Sequence, residues 1–106
     1  VNRPAVTEAE SAVLAALWRR GPLPSKQLLE EVRRHQDWGD ATIKTLLNRL
    51  MHKGAVRSDR ADGVLRYVPM ITWRDYVETE VQALADRLFD GRRDALAAYL
   101  AGAESV

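Results

Sequence analysis

Between Asp40 and Lys53, the residues Ile43, Leu46, Leu47 and Leu50 recur at the three, one and three spacing of a helix with one apolar face. Opposite that stripe lie Ala41, Thr45, Asn48 and His52, flanked by Thr42 and Arg49 on one side and Lys44 on the other. Hydroxyls, an amide and cations are the groups that hydrogen-bond base edges and phosphates. A solvated surface is the plain alternative, but most solvated helix faces mix charge signs and this one holds no carboxylate. Further along, Arg57, Arg60 and Arg66 gather around a turn containing Gly63. Their planar, permanently charged guanidiniums suit phosphate pairing and minor-groove insertion. Asp59 and Asp62 partly cancel that field and can hold the turn through local side-chain hydrogen bonds.

Catalytic chemistry has little to stand on. The chain contains no cysteine, so disulfides, thiolate metal sites and cysteine nucleophiles are excluded. There is no glycine-rich phosphate loop and no histidine beside a nucleophile. The carboxylate pairs Glu8/Glu10 and Asp59/Asp62 fall in a helix cap and a turn, which account for them without catalysis. His35 and His52 are far apart and in no metal-ligand spacing, so neither a metal nor another cofactor is expected.

Elements to position these residues can be read in order. Thr7-Glu8-Ala9-Glu10 has the form of a capping box. The helix it opens aligns Val13, Leu14, Leu17 and Trp18, and Gly21-Pro22 stops it. Ser25 is placed to cap a second helix with Leu28, Leu29 and Val32 inward. Leu23, in the link between them, can add a brief strand beside a later hairpin. Asp37-Trp38-Gly39-Asp40 breaks the pattern before the third helix, with Trp38 as a packing anchor, and Gly54 fits the left-handed position after it. Two β-prone runs, 55–58 and 64–68, flank a five-residue turn from Asp59 to Gly63.

Three helices and a hairpin in about 70 residues is the order of a winged helix-turn-helix, whose third helix enters the DNA major groove. Thr72 can then cap a fourth helix, on which Trp73, Tyr76, Val77, Val81, Leu84 and Leu88 make one broad stripe interrupted by Glu80. A stripe of that width is expected to pair with a second copy of the chain. A short last helix follows Gly91. The reading is thus a mainly α protein: a winged-helix domain over 1–71 and a helical dimerisation region over 72–106.

Composition agrees with this division. Of 106 residues, 46% are hydrophobic and 29% charged, which fits one small soluble core. The net charge of +1 conceals an asymmetry: residues 1–71 hold twelve Lys/Arg and eight Asp/Glu, residues 72–106 four and seven. A basic front and an acidic back suit a nucleic-acid module joined to an assembly segment. No stretch approaches the ~18 apolar residues of a membrane span, and the first residues carry no signal-peptide pattern. A cytoplasmic protein is the expectation.

Several runs are distinctive enough to place the sequence. Thr7-Glu8-Ala9-Glu10 with Leu17-Trp18, and above all Asp37-Trp38 followed by Thr42-Ile43-Lys44-Thr45-Leu46-Leu47-Asn48-Arg49-Leu50 and Lys53-Gly54, closely resemble the penicillinase-repressor (BlaI/MecI-type) family. Tyr67, Pro69 and Phe89-Asp90-Gly91 extend the likeness over most of the chain. The resemblance implies a winged-helix transcriptional repressor that binds a palindromic operator as a homodimer, with Thr42, Lys44, Thr45 and Arg49 facing DNA.

For resistance-type members the resemblance also implies a membrane sensor protease that triggers cleavage in the C-terminal region. Here Ala98-Tyr99 occupies the place of the family's usual Asn-Phe bond. Gly39-Asp40-Ala41 replaces the usual Ser-Pro-basic start of the third helix, so base preference is expected to differ. The cysteines of the copper-responsive branch are absent, and family members usually continue with another acidic, leucine-bearing helix after the position of Val106. The competing reading is a winged-helix module for protein–protein contact with no operator.

Overall fold

In a computed structural model, which describes residues 5–102, the elements run α1 (Glu8–Arg20), α2 (Ser25–Arg33), α3 (Asp40–His52), β1 (Val56–Ala61), β2 (Val64–Pro69), α4 (Trp73–Leu88) and α5 (Arg93–Leu100). The outer limits of both expected domains, at 1 and 106, lie outside the described residues. Two units result, one ending at Thr72 and one beginning at Trp73.

In the first unit α1 opens as its sequence requires. The Thr7 hydroxyl accepts from the Glu10 amide at 3.1 Å, and the Glu10 carboxylate accepts from the Thr7 amide at 3.0 Å, closing a reciprocal capping box. Gly21, at φ +81, ends the helix in a conformation that side chains disfavour. The start of α2 departs from expectation. Pro24, not Ser25, is the N-cap: its carbonyl accepts the Leu28 amide at 2.9 Å, and Ser25 is the first helical residue. Proline's fixed φ and missing N–H cost nothing there, because the first amides of a helix lack intrahelical acceptors anyway. Val13, Leu14 and Leu17 from α1, Leu28 and Val32 from α2, and Ile43 and Leu50 from α3 are fully buried together with Val56 of β1. Burying each such side chain contributes roughly 1.5–3 kcal/mol, and this shared core fixes α3 against the other two helices.

The hairpin also corrects the sequence reading. β1 and β2 pair antiparallel from Val56↔Pro69 to Ala61↔Val64, leaving only Asp62-Gly63 as the turn. Both turn residues have positive φ, +53 and +78. That is the type I′ geometry, whose twist matches the strands it joins, and Asp-Gly is among its favoured pairs. The tighter turn keeps Asp59, Arg60 and Ala61 in the ladder. Leu23 makes an isolated antiparallel bridge to Tyr67 rather than a strand, exchanging both backbone hydrogen bonds at 2.8 and 3.2 Å. Trp18 is half-buried rather than fully in the core, and its indole N–H donates to the Ile71 carbonyl at 2.8 Å.

In the second unit α4 and α5 pack through Ala85 and Leu96, its buried residues. Arg93 forks onto Glu78 at 2.7 and 3.2 Å, and the Phe89 and Tyr99 rings lie 6.0 Å apart. The six residues of the sequence stripe are all exposed or half-exposed here. Trp73 and Leu88 are 62% and 60% exposed. No helix among the described residues is long and apolar enough to cross a membrane.

Candidate nucleic-acid interface

Ala41, Thr42, Lys44, Thr45, Asn48, Arg49 and His52 are all exposed on α3, while Ile43, Leu46, Leu47 and Leu50 are buried. The division follows directly from the helical period. Thr45, Asn48, Arg49, His52 and Lys53 line one open groove of about 340 Å³ on that face. The Thr45 hydroxyl donates back to the Ala41 carbonyl at 2.9 Å, which leaves the oxygen's lone pairs able to accept.

Both ends of α3 are tied down by charge. At its start Asp40 pairs with Arg33 of α2. At its end the C-cap residue Lys53 donates to the Glu10 carboxylate at 2.5 Å and to the Ala5 carbonyl at 2.8 Å. Burial works to raise the Glu10 pKa, but the Lys53 ammonium and the Thr7 amide outweigh it and hold the carboxyl below its ordinary value. Sequence reasoning assigned Glu10 to the cap alone. Its position three residues before Val13, in line with the α1 stripe, is the signal that marks it as buried.

A second carboxylate anchors the other side of the helical core. The buried Glu31 accepts from Arg19 at 2.8 Å, Arg20 at 3.2 Å and Arg34 at 3.1 Å, with His35 at 3.3 Å. The Arg19 hydrogen bond is the main reason its pKa lies below the ordinary carboxylate value. Arg19 and Arg20 thereby tie the end of α1 to α2.

The three hairpin arginines do not form one cluster. Strand pleating places Arg57, Asp59 and, across the ladder, Arg66 on one face, and Arg60 on the other. Arg66 forks onto Asp59, with Nε at 2.7 Å and Nη2 at 3.3 Å. Arg60 is exposed and donates to the Gly63 carbonyl at 3.1 Å, beside the turn.

Comparison with known proteins agrees with this architecture. The sequence profile of the penicillinase repressor family matches residues 6–106. The chain belongs to the penicillinase-repressor family. It is a family of transcriptional repressors rather than enzymes, as the sequence led us to expect. The penicillinase repressor of Bacillus licheniformis is 28% identical over 83% of this chain and 69% of its own length. The methicillin resistance regulatory protein MecI of Staphylococcus aureus strain N315 is 22% identical over 81% of this chain and 70% of its own. Among solved structures, Bacillus licheniformis BlaI in its monomeric form, in complex with the blaP half-operator, matches with TM-score 0.63 and 29% identity over 71% of this chain and 92% of that one. The DNA-binding domain of the repressor BlaI matches with TM-score 0.61 over the same shares. The winged-helix fold expected from the sequence is thereby established.

Proposed function

We propose that this member of the penicillinase-repressor family acts in the cytoplasm as a homodimer that binds a palindromic DNA operator. The exposed, carboxylate-free face of α3 carries this reading, since it sits in a fold shared with a repressor whose structure was determined on a half-operator. In the proposed complex α3 lies in the major groove. Thr42, Lys44, Thr45, Asn48 and Arg49 meet bases and phosphates, and the hairpin with Arg57, Arg60 and Arg66 acts as the wing. The residue 1–71 segment reads DNA and the residue 72–106 segment pairs two copies through Trp73, Tyr76, Val77, Val81, Leu84 and Leu88.

Operator titration at a series of salt concentrations tests the reading. Each phosphate contact releases counterions, so affinity falls steeply as salt rises. Arg49→Ala and Arg60→Ala are each expected to weaken binding to all duplexes alike and to lower the salt slope by about one unit. Salt-insensitive binding would favour a protein-contact module instead. The fragment to titrate comes from the DNA flanking the protein's own coding sequence, with a random duplex as control.

Base readout has a separate test. Thr45 lies near the centre of the outward face, and its hydroxyl already donates to Ala41, so it is placed to accept from a base amino group. Thr45→Val keeps the shape and the helix but removes that acceptor. Operator binding is expected to weaken by roughly 1–3 kcal/mol with little change on random DNA. Equal loss on both would show that Thr45 does not read sequence.

A further inference from the structure

The hairpin sets two guanidiniums around one carboxylate, and they hold it unequally. Asp59 stands directly opposite Arg66 in the β1–β2 ladder, and Arg57 lies two residues before Asp59 on the same pleat face. Arg66 engages both Asp59 oxygens, at 2.7 and 3.3 Å, whereas the nearest Arg57 nitrogen is 3.5 Å from Oδ2. Arg57 remains 52% exposed, against 36% for Arg66 and 25% for Asp59. A planar fork on a carboxylate is the stronger arrangement, because two charge-assisted hydrogen bonds form at once. The Asp59 oxygens are therefore largely committed to Arg66, and the fork of Arg66 is committed to Asp59.

Resting on the operator-binding reading above, we propose that Arg66 is a positioning residue rather than a phosphate contact: it occupies Asp59 so that Arg57 is left available to the DNA backbone. Without Arg66, Asp59 becomes an uncompensated anion beside Arg57. It then competes with phosphate for that guanidinium and repels the backbone itself. The wing's working cations are Arg57 and Arg60, one on each face of the hairpin, where they can bracket a phosphate backbone.

The test uses the full chain and compares R66Q, D59N and the double variant R66Q/D59N on operator and random duplexes across a salt series. R66Q is expected to weaken binding to both duplexes by roughly five- to tenfold and to lower the salt slope by about one unit as Arg57 is captured. The double variant still lacks Arg66, yet it is expected to recover the parent's affinity and slope, because nothing then sequesters Arg57. A double variant whose slope stays one unit low would show that Arg66 itself neutralises a phosphate. An unchanged slope in R66Q would show that Asp59 does not control Arg57. Either result overturns the proposal.

Far-UV circular dichroism and a thermal melt accompany each variant. Should R66Q fail to fold, the double variant against the parent still decides: the parent's slope is expected, and a slope one unit lower overturns the idea. A parent protein with no salt-dependent duplex binding fails the operator reading itself, an outcome distinct from all of these.

Discussion

Leu84→Asp together with Leu88→Asp is expected to yield a protein that sediments as a monomer, keeps its helical content and loses operator affinity by roughly two to four orders of magnitude. The second unit buries Ala85 and Leu96 where α4 meets α5, while the six residues of the Trp73–Leu88 stripe stay exposed or half-exposed. Contiguous apolar surface of this kind marks an interface, and a two-fold pairing buries the same patch from both chains. In the proposed dimer, such pairing would present two α3 helices to half-sites related by the same symmetry. The second half-site then binds at high effective concentration, and it is this linkage that the double substitution removes. Leu84 is half-buried, so its change also tests the α4–α5 packing. Leu88→Asp alone, at a residue 60% exposed, separates the two effects. A parent protein that is monomeric at micromolar concentration would sink the model of a paired reader.

Lys53→Met is expected to cost roughly 3 kcal/mol at neutral pH, because removing one partner strands a charge in the core. Glu10 is 1% exposed, and the Lys53 ammonium is its only cationic side-chain partner among the described residues. With the ammonium gone, burial opposes ionisation against the Thr7 hydrogen bonds alone, and the Glu10 pKa is expected to rise above its ordinary value.

The sign of the pH dependence follows from linkage. In the parent the folded pKa is lowered, so Glu10 contributes stability above its unfolded value that is lost as pH falls through the folded pKa. In the variant the folded pKa is raised, so stability is instead lost as pH climbs past the unfolded value. The gap between parent and variant is therefore widest at neutral pH and closes on acidification, the contributions of Glu31 and Asp59 cancelling in the difference. Urea melts at pH 7 and pH 4 measure it, and Glu10→Gln in the Lys53→Met background is expected to restore most of the loss. A gap independent of pH would assign the cost to packing of the lysine stem rather than to charge.

Local signals in this chain were readable wherever one residue type forces one conformation. The Thr7–Glu10 box, the stop at Gly21 and the register of the α3 stripe all follow from such rules. Failures came where two local rules compete. Ser25 is a strong capping residue, but Pro24 before it satisfies the helix start without a side chain. Asp59 to Gly63 contains enough turn formers for a long loop, yet Asp62-Gly63 alone completes a type I′ turn, and cross-strand pairing claims the rest. The exposed, carboxylate-free side of α3 was legible because it needs only periodicity and charge. The ion pairs behind it were not, since Glu10 meets Lys53 across 43 residues of sequence and no local rule brings them together.

The charge ties at both ends of α3 bear on how such a protein would engage its target. Arg33 holds the first turn through Asp40, and Glu10 holds the last through Lys53. A helix fixed at both ends and cored by Ile43 and Leu50 arrives already ordered, so little conformational entropy remains to be lost on docking. In calorimetry, engagement would show the modest heat-capacity change of two preformed surfaces meeting, not the large negative value of coupled folding. Its association rate would then follow diffusion and the basic field of the first unit, with no slow ordering step.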